Sequence, residues 1–208
     1  MKILYLTKDY LSDSDFPLLR ALQNRGIIID AYIFGGNSPA GILDIAKNKK
    51  YGIRKASGYP ELVERYGEYI DLGKLQFVST PTGYKGIIIR VIIIFHLFLR
   101  LLFSRYNIVH YTWPLSGRIE SLLYFLPFKK LLTIHDPIPH SCQEKQEVDR
   151  KIAFKYCSDF VLLSDVLKKD FSLRYKIEPS HIYISKMGEF DYLRHISGGI
   201  RPIKNKYI

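Results

Sequence analysis

Apolar residues fall in short blocks along this chain, and small or polar residues close each block. The run KILYLT (2–7) reads as a strand, SDSDFPLLRALQNRG (12–26) as a helix and IIIDAYIF (27–34) as a second strand closed by Gly35 and Gly36. Ser and Asp suit a helix start, Pro17 suits a first turn and Gly26 a stop, with Leu18, Leu19 and Leu22 turned to the sheet. Strand, helix and strand with short joints mark a parallel α/β unit.

From residue 37 to 82 the pattern weakens. PELVERYGEYI (60–70) reads as a helix, KLQFVST (74–80) as a strand and 51–60 as a loop. A long apolar segment, 86–106, is read as a helix. After it come a strand at 107–113, a helix at 116–126, a strand at 129–135, a helix at 144–157, a strand at 159–164, a helix at 165–176 and a strand at 181–185. This alternation predicts an α/β, Rossmann-like, doubly wound and mainly parallel sheet with helices on both faces. No repeat or low-complexity tract interrupts it. One domain over 1–195 is expected, with 196–208 a linker and the start of a further domain.

In such a fold ligands bind beyond the carboxyl ends of strands. Those ends here read TKDYLSDSD, HYTWPLSG, HDPIPHS, SDVLKK and SKMGEFDYLR. His110, His135, Asp136, His140 and Cys142 carry metal-ligand chemistry, but four residues with two prolines separate His135 from His140. Neither a paired-cysteine nor a helical two-histidine zinc spacing is present, so no metal is expected. Nothing marks Cys142 or Cys157 as an activated nucleophile, and both are read as reduced thiols. No G-x-G-x-x-G follows the first strand. A histidine at a strand end also serves simply to bind a loop carbonyl, and prolines there simply stop the strand.

Lys plus Arg exceeds Asp plus Glu by 31 − 20 = 11, which suits an anionic partner. The basic residues are scattered and no nucleic-acid motif appears, so nucleic acid is not the expected partner. The short apolar run at the amino terminus argues against a secretory leader and for a cytoplasmic protein.

The order of these pieces resembles the amino-terminal, acceptor-side domain of GT-B glycosyltransferases of the family-4 type. MKILYLTKDY…LLRALQNRGIIIDAYIFGG looks like that family's first strand, helix and second strand. YNIVHYTWPLSG is similar to its D-I-V-H-x-H strand, and LLTIHDPIPHS to its strand ending T-x-H-D. CSDFVLLSDVLKKDFSLRYKIEPSHIYISKMGEFDYL is similar to its closing run. The likeness covers about residues 1–35 and 105–194.

The resemblance implies retaining, metal-free sugar transfer from a nucleotide-sugar co-substrate, with no further cofactor. The acceptor is a glycan, expected to be lipid-linked, in bacterial surface polysaccharide synthesis. His135 would orient the sugar at the cleft, with Asp136 beside it as the other catalytic position. His110, Trp113, His140, Ser164, Gly188 and Glu189 would contact substrate. The family's two glutamates eight positions apart, which hold the donor, do not occur in this sequence. Its first loop also lacks the family's glycine pair, and Lys186 and Met187 replace the usual proline with histidine or asparagine. The chain therefore reads as half an enzyme, inactive alone, whose donor-binding domain lies elsewhere or on a separate subunit. The alternative is a non-catalytic, membrane-associated partner subunit of a split transferase.

The segment KGIIIRVIIIFHLFLRLLFSR (85–105) is apolar nearly all round, with Lys85, Arg90, His96, Arg100 and Ser104 on one broad arc. Arg90 and Arg100 disfavour a span, since each costs about 2.5–3.5 kcal/mol at a bilayer centre. Two readings stay open. One is a helix lying in the inner face of the plasma membrane through Arg90, Arg100 and Phe95. The other is a core helix with snorkelling arginines.

Overall fold

The computed structural model describes residues 1–35, 51–81, 83–115, 120–135 and 144–185. Eight strands form one sheet in the order β3-β4-β2-β1-β5-β6-β7-β8. They are β1 (Lys2–Lys8), β2 (Ile28–Gly35), β3 (Gly52–Lys55), β4 (Leu75–Ser79), β5 (Ile108–Tyr111), β6 (Lys130–Ile134), β7 (Asp159–Leu162) and β8 (Ile182–Ile184). Every pairing is parallel except that of β3 with β4. The expected Rossmann-like sheet is therefore present, with one antiparallel strand at its edge.

From β1 the chain builds outward through β2 to β4. It then returns to lay β5 on the other side of β1 and continues through β6, β7 and β8. The order reverses between β1 and β5, and a crevice opens at their carboxyl ends.

Alternation along β1 serves both faces of the sheet. Leu4 and Leu6 belong to one apolar cluster that takes in Ile93, Leu97 and Leu101 of α3 (Gly83–Ser104), Ala153 of α4 (Glu144–Tyr156) and Phe171 of α5 (Lys168–Tyr175). Ile3 and Tyr5 pack with Phe16 and Leu19 of α1 (Ser12–Asn24) and with Leu62 and Tyr66 of α2 (Pro60–Tyr66).

Several local expectations are corrected. Residues 52–55, read within a loop, are strand β3. Its four residues show no buried alternation; the ladder to β4 holds it, with Ile53 packed, partly buried, against the core. Pro17 lies in the second turn of α1, because a 3₁₀ turn at Asp9–Leu11 delivers the chain to the helix and no side chain caps its start. The helix expected at 116–126 is a 3₁₀ segment at Glu120–Phe125, just ahead of Pro127, which disfavours helix in the residue before it. Residues 116–119 and 196–208 lie outside the described residues.

Two glycines are required by geometry. Gly26 takes φ +71°, and its N–H donates to the Gln23 carbonyl at 2.9 Å while Ile27 N–H reaches back to the Leu22 carbonyl at 3.1 Å, ending α1. At Gly86 a Cβ would stand 2.0 Å from the Pro81 carbonyl oxygen, so only glycine lets the first turn of α3 sit on the loop from β4.

Candidate functional site

The crevice between β1 and β5 rests on a buried hydrogen-bond network. Tyr5 and Thr7 of β1 point toward α1, where Asp15 is buried. Tyr5 Oη donates to Asp15 Oδ1 at 2.9 Å and Thr7 Oγ1 donates to Asp15 Oδ2. Thr112, just past β5, donates to Thr7 Oγ1 at 2.8 Å. One carboxylate thus ties the ends of β1 and β5 to α1. Burial pushes the Asp15 carboxyl up to about 7, against the opposing pull of the hydroxyls of Thr7, Tyr5 and Thr112.

His110 belongs to the same buried layer. It is 5% exposed, with Nε2 2.8 Å from Thr133 Oγ1 and its ring edge-on to Tyr5 at 4.7 Å. Burial, and then the nearby His135, push its pKa down to about 3, so it is neutral. Expected among the substrate contacts, His110 instead lies beneath the crevice as part of its floor.

Above this layer three rings stand at the ends of three adjacent strands. Tyr10 follows β1, Trp113 follows β5 and His135 follows β6. The Trp113 ring lies 6.3 Å from Tyr10, edge to face, and 6.4 Å from His135, tilted by 37°. Tyr10 is exposed, while Trp113 and His135 are half-buried. Burial, and then Asp9, raise the Tyr10 hydroxyl to about 12, so it remains a hydrogen-bond donor. Asp9 itself accepts from the Tyr10 N–H at 2.9 Å.

A set of ionisable groups lies on the α3 side of β1. Lys8, the last residue of β1, is half-buried, and desolvation lowers its pKa against the raising influence of Glu120. Arg90 of α3 stands 3.9 Å from Glu120 through Nε, and Asp149 of α4 also acts on Lys8. Burial thus favours the neutral amine of Lys8, as does the nearby Arg90, and the acidic neighbours Glu120, Asp9 and Asp149 oppose that shift.

The fold therefore brings together Trp113 and His135, which the sequence singled out, with Tyr10, which it did not. Ser164 lies beyond β7, exposed, and its Oγ accepts from the Val166 N–H at 3.3 Å. Asp136, His140, Cys142, Gly188 and Glu189 lie outside the described residues. Cys157 is a free, buried thiol that burial pushes up to about 12. Among the described residues no group of three or more His, Cys, Asp or Glu side chains forms a metal site. The missed residues had a signal: Lys8, Asp9 and Tyr10 directly follow the first apolar block, and Asp15 sits at an inward helix position.

Of the three residues expected to touch a membrane, Phe95 and Arg90 are exposed and Arg100 is partly buried. Arg100 donates to Asp30 of β2 at 2.7 Å, and His96 Nε2 lies 3.0 Å from Tyr32 Oη. Arg90 faces Glu120. The His96 and Arg100 part of the polar arc is turned toward the protein, where β2 offers Tyr32 and Asp30 as partners, while Lys85 and Arg90 are exposed.

No family model matches the sequence, and no curated protein matches it. Solved structures do. UDP-GlcNAc 2-epimerase from Methanocaldococcus jannaschii matches at 14% identity and TM-score 0.58 over 88% of this chain and 45% of its own. The enzyme from Rickettsia bellii matches at 8% identity and TM-score 0.60 over 95% of this chain and 48% of its own. Anabaena HepE, solved with UDP and glucose, matches at 13% identity and TM-score 0.54 over 90% of this chain and 45% of its own. At these identities the shared property is the Rossmann-like fold, and this chain spans just under half the length of the proteins it resembles.

Proposed function

We propose that this chain is the acceptor-binding half of a retaining GT-B glycosyltransferase of the family-4 type. The observation that carries the reading is the aromatic group Tyr10–Trp113–His135 at the switch point. Sugar rings present apolar C–H faces that pack on aromatic rings, while their hydroxyls need a few placed polar partners. Trp113 supplies the platform, and His135 and the Tyr10 hydroxyl supply the polar edge. UDP or UDP-sugar bound to relatives of this fold supports nucleotide-sugar chemistry.

In this reading the donor is a nucleotide sugar bound mainly by a second domain or subunit. The chain's part is to orient the acceptor hydroxyl and to exclude water from one wall of the cleft. His135, with Asp136, would position the reacting sugar. The setting is bacterial surface polysaccharide synthesis on the cytoplasmic side.

A second reading, a non-catalytic, membrane-associated partner subunit of a split transferase, is supported by the exposed apolar residues of α3, Phe95 and Phe103 among them. Turnover separates the two. The 208-residue chain is incubated with UDP-GlcNAc and prenyl-diphosphate-linked N-acetylglucosamine, alone and with a donor-domain subunit expressed from an adjacent reading frame. The first reading expects no product from the chain alone and product with the subunit, lost when His135→Ala is introduced. Robust hydrolysis or transfer by the chain alone contradicts both readings. Product that is insensitive to His135→Ala favours the non-catalytic subunit.

A further inference from the structure

Among the described residues, the outer face of α3 has no partner. Tyr84, Ile88, Ile92, Phe95, Leu99 and Phe103 follow one another at intervals of three or four residues, and all are exposed, Phe95 by 59% and Phe103 by 79%. That spacing sets them on one side of the helix, in a stripe about 28 Å long at 1.5 Å per residue. Leu122 and Phe125 of the 3₁₀ segment packed beside α3 are exposed as well and widen it. A contiguous apolar surface of this extent marks an interaction site.

We propose that this face lies flat in an anionic lipid leaflet. Its charge identifies the occupant. The helix contains no Asp or Glu, Lys85 and Arg105 are exposed at its two ends, and the chain carries a formal charge of +11. Cations at the rim of an apolar stripe match anionic headgroups around an acyl layer.

A span is closed to α3, long and apolar though it is. Ile93, Leu97 and Leu101 on its opposite side are core residues, and Arg100 is fastened to Asp30. Insertion therefore proceeds through the aromatic and aliphatic face. Arg100 and His96 hold the helix on the sheet and do not reach for lipid.

The topology also sets the direction. α3 leaves the carboxyl end of β4 and runs back to the amino end of β5, so Tyr84 and Lys85 lie at the same end of the sheet as Trp113 and His135. With α3 flat on the leaflet, the site opens along the headgroup layer, where the sugar of a lipid-linked acceptor stands. That last point rests on the acceptor reading; the docking itself does not.

The test is co-sedimentation of the full chain with vesicles of phosphatidylethanolamine and phosphatidylglycerol (3:1), and with phosphatidylcholine vesicles. The expected result is binding to the anionic vesicles, at least fivefold weaker to phosphatidylcholine, and reduced at least thirtyfold by Phe95→Asp with Phe103→Asp. Both positions are exposed, and an unchanged circular dichroism melt verifies folding of that variant. A milder pair, Phe95→Ser with Phe103→Ser, should fall between. Unchanged binding of the aspartate variant overturns the proposal. So does a lipid-free wild-type dimer in analytical ultracentrifugation that the variant abolishes, with no vesicle binding, which would make the face a protein interface. Sugar binding read at Trp113 should be the same in the aspartate variant and wild type, so failure of docking and failure of the acceptor reading are separable.

Discussion

Arg100 of α3 donates to Asp30 of β2 at 2.7 Å, on the side of an almost wholly apolar helix that meets the sheet. Asp30 also accepts from Tyr106 Oη and stands 3.5 Å from Lys2 Nζ, so its carboxylate gathers groups from three parts of the chain. Because the pair is partly solvent-exposed, its coupling should be modest, about 1 kcal/mol. A double-mutant cycle of Arg100→Ala and Asp30→Ala, read by urea unfolding, should show that coupling. Strict additivity would mean that the apolar seam alone orients α3.

Asp15 should make stability depend on pH in a definite direction. Its folded pKa is about 7 against an ordinary 3.8. Between those values the folded chain holds a proton that the unfolded chain has released, so stability falls as pH rises, by about 1.4 kcal/mol per unit from this group. Above about pH 7 the contribution is flat. Asp15→Asn should remove this slope from melting temperatures measured between pH 4.5 and 7, and an unchanged slope would show that Asp15 titrates normally.

Gly86 should tolerate no side chain. A methyl at that position meets the Pro81 carbonyl at 2.0 Å, a backbone atom that cannot swing aside. Gly86→Ala should cost about 2 kcal/mol or more in chemical denaturation, despite alanine's better helix propensity. A neutral or stabilising result would show that the turn from β4 into α3 shifts freely.

The parallel sheet was readable from residues such as Leu4 and Leu6 because strand period and short joints leave few topologies open. Strand β3 was not, since within Gly52–Lys55 only Ile53 packs against the core, and an edge ladder leaves no mark in side-chain pattern. At the site, Trp113 and His135 were legible as polar or aromatic residues closing apolar runs. Their assembly with Tyr10 needed the strand order, which places the ends of β1, β5 and β6 side by side. His110 shared the same local signal, yet its position within β5 buries it under the crevice. Arg100 illustrates the opposite limit: helical spacing groups it correctly with His96, but only the neighbouring strand tells whether that arc faces inward or out.

Trp113 is the only tryptophan in the chain, so its emission reports directly on the proposed platform. The decisive measurement is a fluorescence titration of the full chain with a short-chain prenyl-diphosphate-linked N-acetylglucosamine, with UDP as the comparison. The account predicts a saturable change with the sugar acceptor, shifted about tenfold to weaker binding by His135→Ala, and little response to UDP. A flat titration with the acceptor, or a strong response to UDP alone, would contradict it.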